Sequence, residues 1–223
     1  MTDISKAALF EGLSGEEFEK VRKRTTERIY PKGALVFSEG EQTDGLYIVS
    51  SGLVKVFKLH TDGREKTLDI LRPGQCLGEV SLFGSSIRSA SVETLQPTSF
   101  LIIPSTELKL LLMETPSLAV RFIEMLSGRL REANRQIQEL AFMNSRNRVI
   151  CNLINLAEVH GRADESGVCI DVRLTHSEFA KLAGVSRETV TKVLQELQEL
   201  SLISINSKYI KILSTSELYQ EVM

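Results

Sequence analysis

The pattern of apolar and polar positions changes along the chain and predicts separate regions. From Tyr30 to Pro104, short apolar stretches alternate with glycine-bearing turns, which is typical of an antiparallel sandwich, roll or barrel. The expected strands are Leu35–Ser38, Leu46–Val49, Leu53–Leu59, Lys66–Ile70, Ser89–Thr94 and Thr98–Ile103. Before them, a capping box formed by Ser14 and Glu17 predicts a helix that runs to about Arg28.

A long helix is predicted after Pro116, where apolar residues recur at alternating intervals of three and four. The narrow apolar stripe lies between charged positions, which favours a coiled coil between two copies of the chain. Packing of a lone amphipathic helix on its own domain is the alternative. The residues of the stripe are Ile123, Leu126, Leu130, Ala133, Ile137 and Leu140.

The heptad pattern ends in the segment Phe142–Arg148, and a further helix is expected to run to about Val159. A polar loop, a short strand, two short helices and a closing hairpin follow. These are expected at His160–Gly167, Val168–Val172, on either side of Gly184, and at Leu202–Leu213. The changes in pattern divide the chain into residues 1–115, 116–143 and 144–223.

The two short helices have the spacing of a helix-turn-helix. A capping box at Thr175 and Glu178 opens the first helix. Ala180, Gly184 and Val190 then follow at intervals of 4 and 6 residues. A small residue lets the helices cross, glycine allows the tight turn, and valine packs beneath. An ordinary helical hairpin explains these positions equally well, but it does not explain the exposed polar face of the second helix.

That face carries side chains of the types that typically contact DNA. Arg187, Glu188 and Lys192 are the candidate base-reading residues, because arginine suits a guanine edge and glutamate suits the amino group of cytosine. Hydroxyl, imidazole and ammonium groups nearby are the candidate phosphate contacts. These are His176, Ser177, Ser186, Thr189, Thr191 and, at the tip of the closing hairpin, Lys208.

A second informative segment lies among the predicted strands. Gly78 and Glu79 precede Arg88 and Ser89 by ten residues. A glycine turn brings backbone close to an anion, arginine grips phosphate with two parallel hydrogen bonds, and glutamate accepts from a ribose hydroxyl. The spacing alone is equally compatible with a buried ion pair between Glu79 and Arg88.

Composition narrows the classes of function. The 223 residues carry a net charge of −2, and residues 144–223 hold 9 Lys and Arg against 10 Asp and Glu. DNA binding must therefore depend on a focused face rather than on bulk charge. The three cysteines and three histidines have no metal-ligand spacing, so reduced thiols and no metal site are expected. Without a nucleophile–base constellation, a membrane-length apolar run or a signal peptide, the chain is expected to be a cytoplasmic protein that is not an enzyme.

Two motifs resemble one known family. The segment from Gly78 to Ala90 resembles the phosphate-binding cassette of cyclic-nucleotide-binding domains, and Gly184–Val190 is similar to the recognition helix of the CRP/FNR regulators. The resemblance runs from Leu9 to the closing hairpin. It implies an α+β fold with an N-terminal cyclic-nucleotide-binding β-roll, a central dimerisation helix and a C-terminal winged helix-turn-helix. It also implies a homodimeric transcription regulator that binds a palindromic DNA site.

The resemblance further implies how an effector is bound. Gly78, Glu79, Arg88 and Ser89 would hold the ribose and phosphate of cyclic AMP or another cyclic nucleotide. Ala133 and Asn134 occupy the helix positions where cyclic-AMP-binding members use hydroxyl side chains to contact adenine. Alanine lacks the hydroxyl, so one base contact is missing, whereas an asparagine amide both donates and accepts.

Other mechanisms within the family stay open. A constitutive regulator, or one sensing another small molecule or a gas through haem, would keep Glu79 and Arg88 as a structural ion pair, and His60 is a candidate iron ligand. The family's iron–sulfur members carry an N-terminal cysteine group that this sequence lacks. The resemblance also implies contact with RNA polymerase near His160–Gly167 and gives no sign of a membrane partner.

Overall fold

The structure, a computed structural model, describes residues 7–83, 86–206 and 209–222. The chain divides into two units. The first comprises Met1–Gly63 and Leu68–Ala133, and the second comprises Arg64–Thr67 and Asn134–Met223. The long central helix contributes residues to both, and so does the strand that begins at residue 65.

Short strands of alternating pattern build the first unit. Its elements are α1 (Gly15–Lys23), β1 (Thr26–Tyr30), β2 (Leu35–Phe37), β3 (Gly45–Ser51), β4 (Val54–Leu59), β5 (Glu65–Leu71), β6 (Cys76–Leu77), β7 (Ser91–Thr94), β8 (Thr98–Pro104) and α2 (Ser105–Glu114), followed by α3 (Pro116–Phe142). The strands form two four-stranded sheets in the orders β1-β8-β3-β6 and β2-β7-β4-β5, with antiparallel pairing. The expected antiparallel β architecture is confirmed.

Strand β3 is buried on both of its faces. Side chains on a strand point alternately to its two sides, so its residues belong to two different cores. Tyr47 and Val49 belong to the core between the two sheets, where Tyr47 packs edge-on against Phe100 of β8. Leu46 and Ile48 face the other way and share a core with the helices. The first sheet is therefore the central layer of this unit.

Helix α1 is shorter than predicted. The Ser14–Glu17 capping box is present, but the helix ends at Lys23, and Thr26–Tyr30 forms strand β1 instead of continuing toward Arg28. The residues of β1 pair along β8, so a partner far away in the sequence decides their conformation. The pairing of β1 with a distant strand overrides the local helical pattern.

The long central helix α3 is confirmed, and it has two apolar faces. Leu118 and Phe122 are buried in the core of the first unit, and Leu126 packs partly against the same core. Leu126 is therefore shared between this core and the surface, and its place in the dimer stripe stays a prediction. The exposed members of the predicted stripe are Ile123, Leu130, Ala133, Ile137 and Leu140.

The second unit has mainly helices and a small sheet. Its elements are α4 (Ser145–His160), β9 (Gly161–Asp164), β10 (Gly167–Ile170), α5 (His176–Ala183), α6 (Arg187–Glu199), β11 (Ile203–Asn206), β12 (Tyr209–Ile212) and α7 (Thr215–Gln220). The strands follow the order β11-β12-β10-β9. Leu153 of α4, Phe179 of α5 and Val190 of α6 are buried between the three helices.

The hairpin expected at Leu202–Leu213 is confirmed by the antiparallel pairing of β11 and β12, although its tip, with Lys208, lies outside the described residues. The polar loop expected at His160–Gly167 is largely wrong, because β9 pairs with β10. On the other side of β10, a β-carbon at Gly167 would lie 2.1 Å from the Ile212 carbonyl oxygen, so glycine allows the close approach of β12.

No helix within residues 7–83, 86–206 and 209–222 has the length and apolar character needed to cross a membrane.

Candidate effector and DNA-binding sites

The candidate effector site begins at a glycine whose geometry excludes other residues. Gly78 has a φ of 86°, in the left-handed region, and precedes a short 3-10 turn at Glu79–Ser81. A β-carbon at this position would lie 2.1 Å from Nη1 of Arg88. Glycine is therefore required both by the backbone conformation and by the arginine that lies against it.

Arg88 is the centre of this site. Its side chain is only 1% exposed. Nη2 donates to Asp44 Oδ1 at 2.5 Å and to the Gly45 carbonyl oxygen at 3.1 Å, and Nη1 donates to the Gly78 carbonyl oxygen at 3.4 Å. A buried arginine held by one carboxylate and two carbonyl groups has its guanidinium fixed in place.

Aromatic rings form the other wall around the guanidinium. The central carbon of Arg88 lies 3.9 Å from the ring centroid of Phe37 and 5.2 Å from that of Tyr47. Cation–π contacts of this kind stabilise a buried positive charge. The Nε–H group of Arg88 is buried without a hydrogen-bond partner in the described part of the chain. The site therefore has a fixed cation whose Nε–H group is not engaged.

Glu79 lies in a separate charge cluster. Its buried carboxylate is 3.4 Å from Nε of Arg129 on α3. Arg129 also donates to Asp69 of β5 and, at 2.8 Å, to the Cys76 carbonyl oxygen. Burial raises the pKa of Asp69, and the neighbouring Arg129 acts against that rise. The cluster thus links the cassette residue Glu79 to the central helix.

The structure does not pair Glu79 with Arg88. The sequence-based alternative of an ion pair between them is therefore wrong in that form, because Asp44 pairs with Arg88 and Arg129 pairs with Glu79. Sequence reasoning missed both partners. They lie 44 and 50 residues away from the residues they bind, and no local motif identifies them.

The remaining effector candidates are less constrained. Ser89 is exposed beside Arg88, and Ala133 and Asn134 are exposed on the central helix. His60, the candidate haem ligand, is exposed, with its Nδ1 2.9 Å from the Asp62 carboxylate. Across the described ranges, no group of three or more His, Cys, Asp or Glu side chains is placed to hold a metal ion.

The second unit contains the helix-turn-helix that the sequence predicts. Thr175 Oγ1 accepts from Glu178 N at 3.2 Å, and the Glu178 carboxylate accepts from Thr175 N at 2.6 Å, which completes the capping box of α5. Gly184 then adopts a φ of 66° in the turn. Ser186 caps α6 by accepting from Thr189 N at 3.1 Å. The predicted capping box, the left-handed glycine turn and the serine helix cap are therefore all present.

Arg148 of α4 is a further part of this turn that the sequence did not reveal. Its guanidinium donates to the carbonyl oxygens of Ala183 at 3.3 Å and of Gly184 at 3.2 Å. These carbonyl groups lie at the C-terminal end of α5, where the helix has no further N–H groups to donate to them. Arg148 therefore fixes the turn from a third helix.

The beginning of α6 presents an exposed polar face. Arg187, Glu188 and Lys192 are all exposed, whereas Val190 of the same helix is fully buried. The Glu188 carboxylate accepts from its own backbone N–H and from Ser186, which lowers its pKa and keeps it ionised at neutral pH. The face thus carries two cations and one anion side by side.

Two of the predicted phosphate contacts already bind within the protein. The Ser186 hydroxyl caps α6, and the Thr191 hydroxyl donates to the Arg187 carbonyl oxygen at 3.0 Å. His176 is partly buried and its Nδ1 lies 2.8 Å from Thr191 Oγ1. Ser177 is exposed, Thr189 is partly buried, and Lys208 lies outside the described residues.

Comparison with known proteins identifies both regions. Residues 27–115 match the family model of the cyclic nucleotide-binding domain, and residues 147–221 match that of the Crp-like helix-turn-helix domain. The chain is 37% identical over 191 residues to the cyclic AMP receptor protein of Thermus thermophilus, covering 86% of this chain and 85% of that one.

Two further relatives cover nearly the whole chain. The CRP-like cAMP-activated global transcriptional regulator of Mycobacterium tuberculosis is 31% identical over 214 residues, covering 96% and 95% of the two chains. The solved structure of the c-di-GMP responsive global regulator CLP of Xanthomonas campestris is similar with a TM-score of 0.77 and 27% identity, covering 91% of this chain and all of that one. The relatives are regulators of transcription and not enzymes.

Proposed function

This chain belongs to the CRP/FNR family of transcription regulators, and from that premise we propose that it acts as a homodimer whose affinity for DNA is set by a cyclic nucleotide. The effector binds at the Gly78–Ser89 cassette. Two helix-turn-helix motifs, one from each protomer, bind the two halves of a palindromic site.

The observation that carries the effector proposal is the environment of Arg88. Its guanidinium is buried, fixed against two aromatic rings, and has an Nε–H group without a partner in the described part of the chain. A cyclic phosphate supplies the oxygen acceptors that such a group lacks. Glu79 is the candidate acceptor for a ribose hydroxyl, and its partner Arg129 stands on the central helix. Binding at the cassette therefore has a direct path to that helix.

The identity of the base rests on fewer contacts. The central helix offers Ala133 and Asn134, and only the asparagine amide is able to hydrogen-bond a nucleobase. A regulator that responds to a different small molecule is the second candidate, supported by a relative that responds to c-di-GMP. In the sequence-based alternative, such a regulator keeps Glu79 and Arg88 as a structural ion pair. The structure does not support that pairing, because Arg88 pairs with Asp44.

The dimer proposal rests on the outer face of α3. Ile123, Leu130 and Ile137 are each more than 60% exposed and follow one another at intervals of seven residues. Apolar side chains that repeat at this interval form one seam along a helix, which a second identical helix covers. The continuation of the stripe at Ala133 and Leu140 is consistent with a two-fold interface.

The DNA proposal assigns roles to the exposed face of α6. Arg187, Glu188 and Lys192 read base edges, and His176, Ser177 and Thr189 contact phosphates. Ser186 and Thr191 position α6. The sequence also predicts that they contact DNA phosphates. Lys208 keeps its expected role at the wing tip. The resemblance to the family suggests half-sites near TGTGA, and the β9–β10 hairpin is the proposed contact for RNA polymerase.

Calorimetric titration of the purified protein tests the effector. Cyclic AMP, cyclic GMP, cyclic di-GMP and haem are titrated separately, and we expect a cyclic mononucleotide to bind. If neither cyclic mononucleotide binds at millimolar concentration, the cassette proposal is wrong. Saturable binding of cyclic di-GMP or haem would then support the second candidate.

Selection of binding sites from random DNA tests the proposed base readers. We expect the native protein to select two inverted half-sites spaced by about one helical turn, roughly 34 Å. Arg187→Ala should cost about 1–3 kcal/mol and relax selection mainly at one guanine. If this variant lowers affinity for all sequences equally and leaves the selected site unchanged, α6 does not read bases through Arg187.

A further inference from the structure

His176 and Thr191 connect the two helices of the helix-turn-helix by a single hydrogen bond. His176 Nδ1, at the first residue of α5, lies 2.8 Å from Thr191 Oγ1 on α6. The same hydroxyl donates to the Arg187 carbonyl oxygen at 3.0 Å. A hydroxyl has only one proton to donate. Because that proton is directed at Arg187, Thr191 accepts from His176, and Nδ1 carries the hydrogen.

This arrangement restricts what the other ring nitrogen is able to do. A neutral imidazole has one N–H, so a hydrogen on Nδ1 leaves Nε2 as an acceptor, which repels a phosphate oxygen. The imidazolium form has an N–H on both nitrogens. Only protonated His176 is thus able to hold Thr191 and donate to an anion at the same time.

Building on the proposed contact of His176 with DNA, we infer that His176 binds the phosphate backbone as an imidazolium. Where the imidazole of the free protein is neutral, each protomer therefore takes up a proton at this residue when it binds DNA. His176 thereby makes the affinity for DNA fall as the pH rises, because only the imidazolium both holds Thr191 and donates to the phosphate. Thr191 is the positioning residue, because it fixes which ring nitrogen is protonated in the neutral form.

The charged groups on the surrounding elements are consistent with this inference. They are Arg173 before α5, Glu178 and Lys181 on α5, and Arg187, Glu188, Lys192, Glu196 and Glu199 on α6. The Glu178 carboxylate accepts from Thr175 at 2.6 and 2.7 Å, and the Glu188 carboxylate accepts from Ser186 and its own N–H. Both carboxylates accept hydrogen bonds from other residues, and the DNA phosphate is the anion proposed to stabilise the imidazolium.

The expected effect is large enough to measure. A charge-assisted hydrogen bond is about twice as strong as a neutral one. We expect affinity to fall about tenfold per protomer between about pH 6 and about pH 8, and about a hundredfold for a dimer. DNA phosphates do not titrate in this range, so the change reports on the protein.

The experiment measures fluorescence anisotropy of the full chain on a duplex that carries two inverted TGTGA half-sites. Salt is held constant, the dye does not titrate in this range, and cyclic AMP is present or absent in parallel series. His176→Gln, which is neutral at every pH, should bind weakly with a flat profile. His176→Arg, with a fixed charge, should bind tightly at both pH values. Circular dichroism confirms that both variants fold. If His176→Gln keeps the native pH profile, the inference is wrong.

Thr191→Val tests the positioning role. Without the hydroxyl acceptor, neutral His176 is free to carry its hydrogen on Nε2 and donate it to phosphate. The pH dependence should therefore shrink, mainly because binding at about pH 8 improves. A profile as steep as that of the native protein would overturn the role of Thr191.

The outcomes separate this inference from the proposed function on which it rests. If the native protein binds neither this duplex nor a mixture of random duplexes at any pH, with or without cyclic AMP, the DNA-binding proposal fails. If it binds DNA with equal affinity at about pH 6 and about pH 8, DNA binding stands and the imidazolium contact is wrong.

Discussion

Arg88 Nη2 donates a hydrogen bond to the Asp44 carboxylate at 2.5 Å. Asp44 therefore uses an N–H donor from which a bound phosphate would otherwise accept. Asp44 also accepts from the Tyr47 hydroxyl at 2.7 Å. The carboxylate is half exposed, whereas the arginine is buried. An incoming anion therefore meets a cation that is already partly neutralised, and Arg88 and Asp44 should have opposite effects on ligand affinity.

Replacing Arg88 by leucine should abolish the response to the effector. The variant loses a charge-assisted contact of about 1.5–3 kcal/mol, which is roughly tenfold to over a hundredfold in affinity. Calorimetric titration with cyclic AMP measures the loss. Arg72→Leu, at an exposed position, is the matched control and should bind as the native protein does. Unchanged binding by Arg88→Leu would exclude the phosphate contact.

Replacing Asp44 by asparagine should strengthen binding of an anionic effector. The change removes a negative charge beside the proposed phosphate, while Gly45, Gly78 and the aromatic rings still hold Arg88. We expect an increase in affinity of about three- to tenfold, corresponding to about 1 kcal/mol from one partly exposed charge. The same titration, repeated at high salt, measures it. Weaker binding would mean that Asp44 mainly positions Arg88.

Gly78→Ala should destabilise the first unit. The substitution forces a side chain into left-handed backbone and places its β-carbon against Arg88. Together these effects should lower the free energy of unfolding by about 2–4 kcal/mol. Urea unfolding followed by circular dichroism measures the change. Gly63→Ala is the control: it has a similar φ of 87° but open space at the β-carbon, so it should cost only the backbone strain.

Leu130→Lys should convert the protein into a monomer with loss of DNA binding. Leu130 is 63% exposed on α3, so the charge does not enter the core of its own unit. Loss of a buried leucine is worth roughly 1.5–3 kcal/mol, and a two-fold interface loses it twice. Light scattering measures the mass. Gln138→Lys, also exposed on α3, should remain a dimer. A tight dimer of Leu130→Lys would contradict the proposed seam.

Cys76 should resist alkylation while the protein is folded. Burial raises the pKa of its thiol to about 12, so little of the reactive thiolate exists at neutral pH. Because the pKa is raised in the folded state, the associated stability is present below the pKa of the unfolded thiol and is lost as the pH rises toward 12. Iodoacetamide labelling with peptide mapping, with and without urea, measures the protection. Rapid labelling of Cys76 without urea would contradict its burial.

Features that depend on near neighbours in the sequence were the most predictable. The capping boxes at Ser14 and Thr175 and the left-handed turn at Gly184 form as expected, because each involves residues within one helical turn. The helix-turn-helix could therefore be predicted in detail. The small apolar and glycine positions alone allow a helical hairpin, and the family models exclude that alternative.

Features that depend on distant partners could not be predicted. β1 forms because β8 pairs with it, and Asp44 pairs with Arg88 because the turn before β3 lies against the cassette. The partial burial of Leu126 depends on the core of the first unit. Heptad spacing allows leucine on either side of the helix, so the pattern alone could not assign it.

In the proposed homodimer, the two apolar faces of α3 would make folding and pairing of the protein separate events. Phe122 is buried when one chain folds, whereas Leu130 is exposed and would be covered only by the proposed second chain. The amount of competent regulator then follows mass action. Where the chain is scarcer than the dissociation constant of the pair, halving its synthesis lowers the dimer about fourfold. Control of this gene's own expression would thus be amplified at every operator.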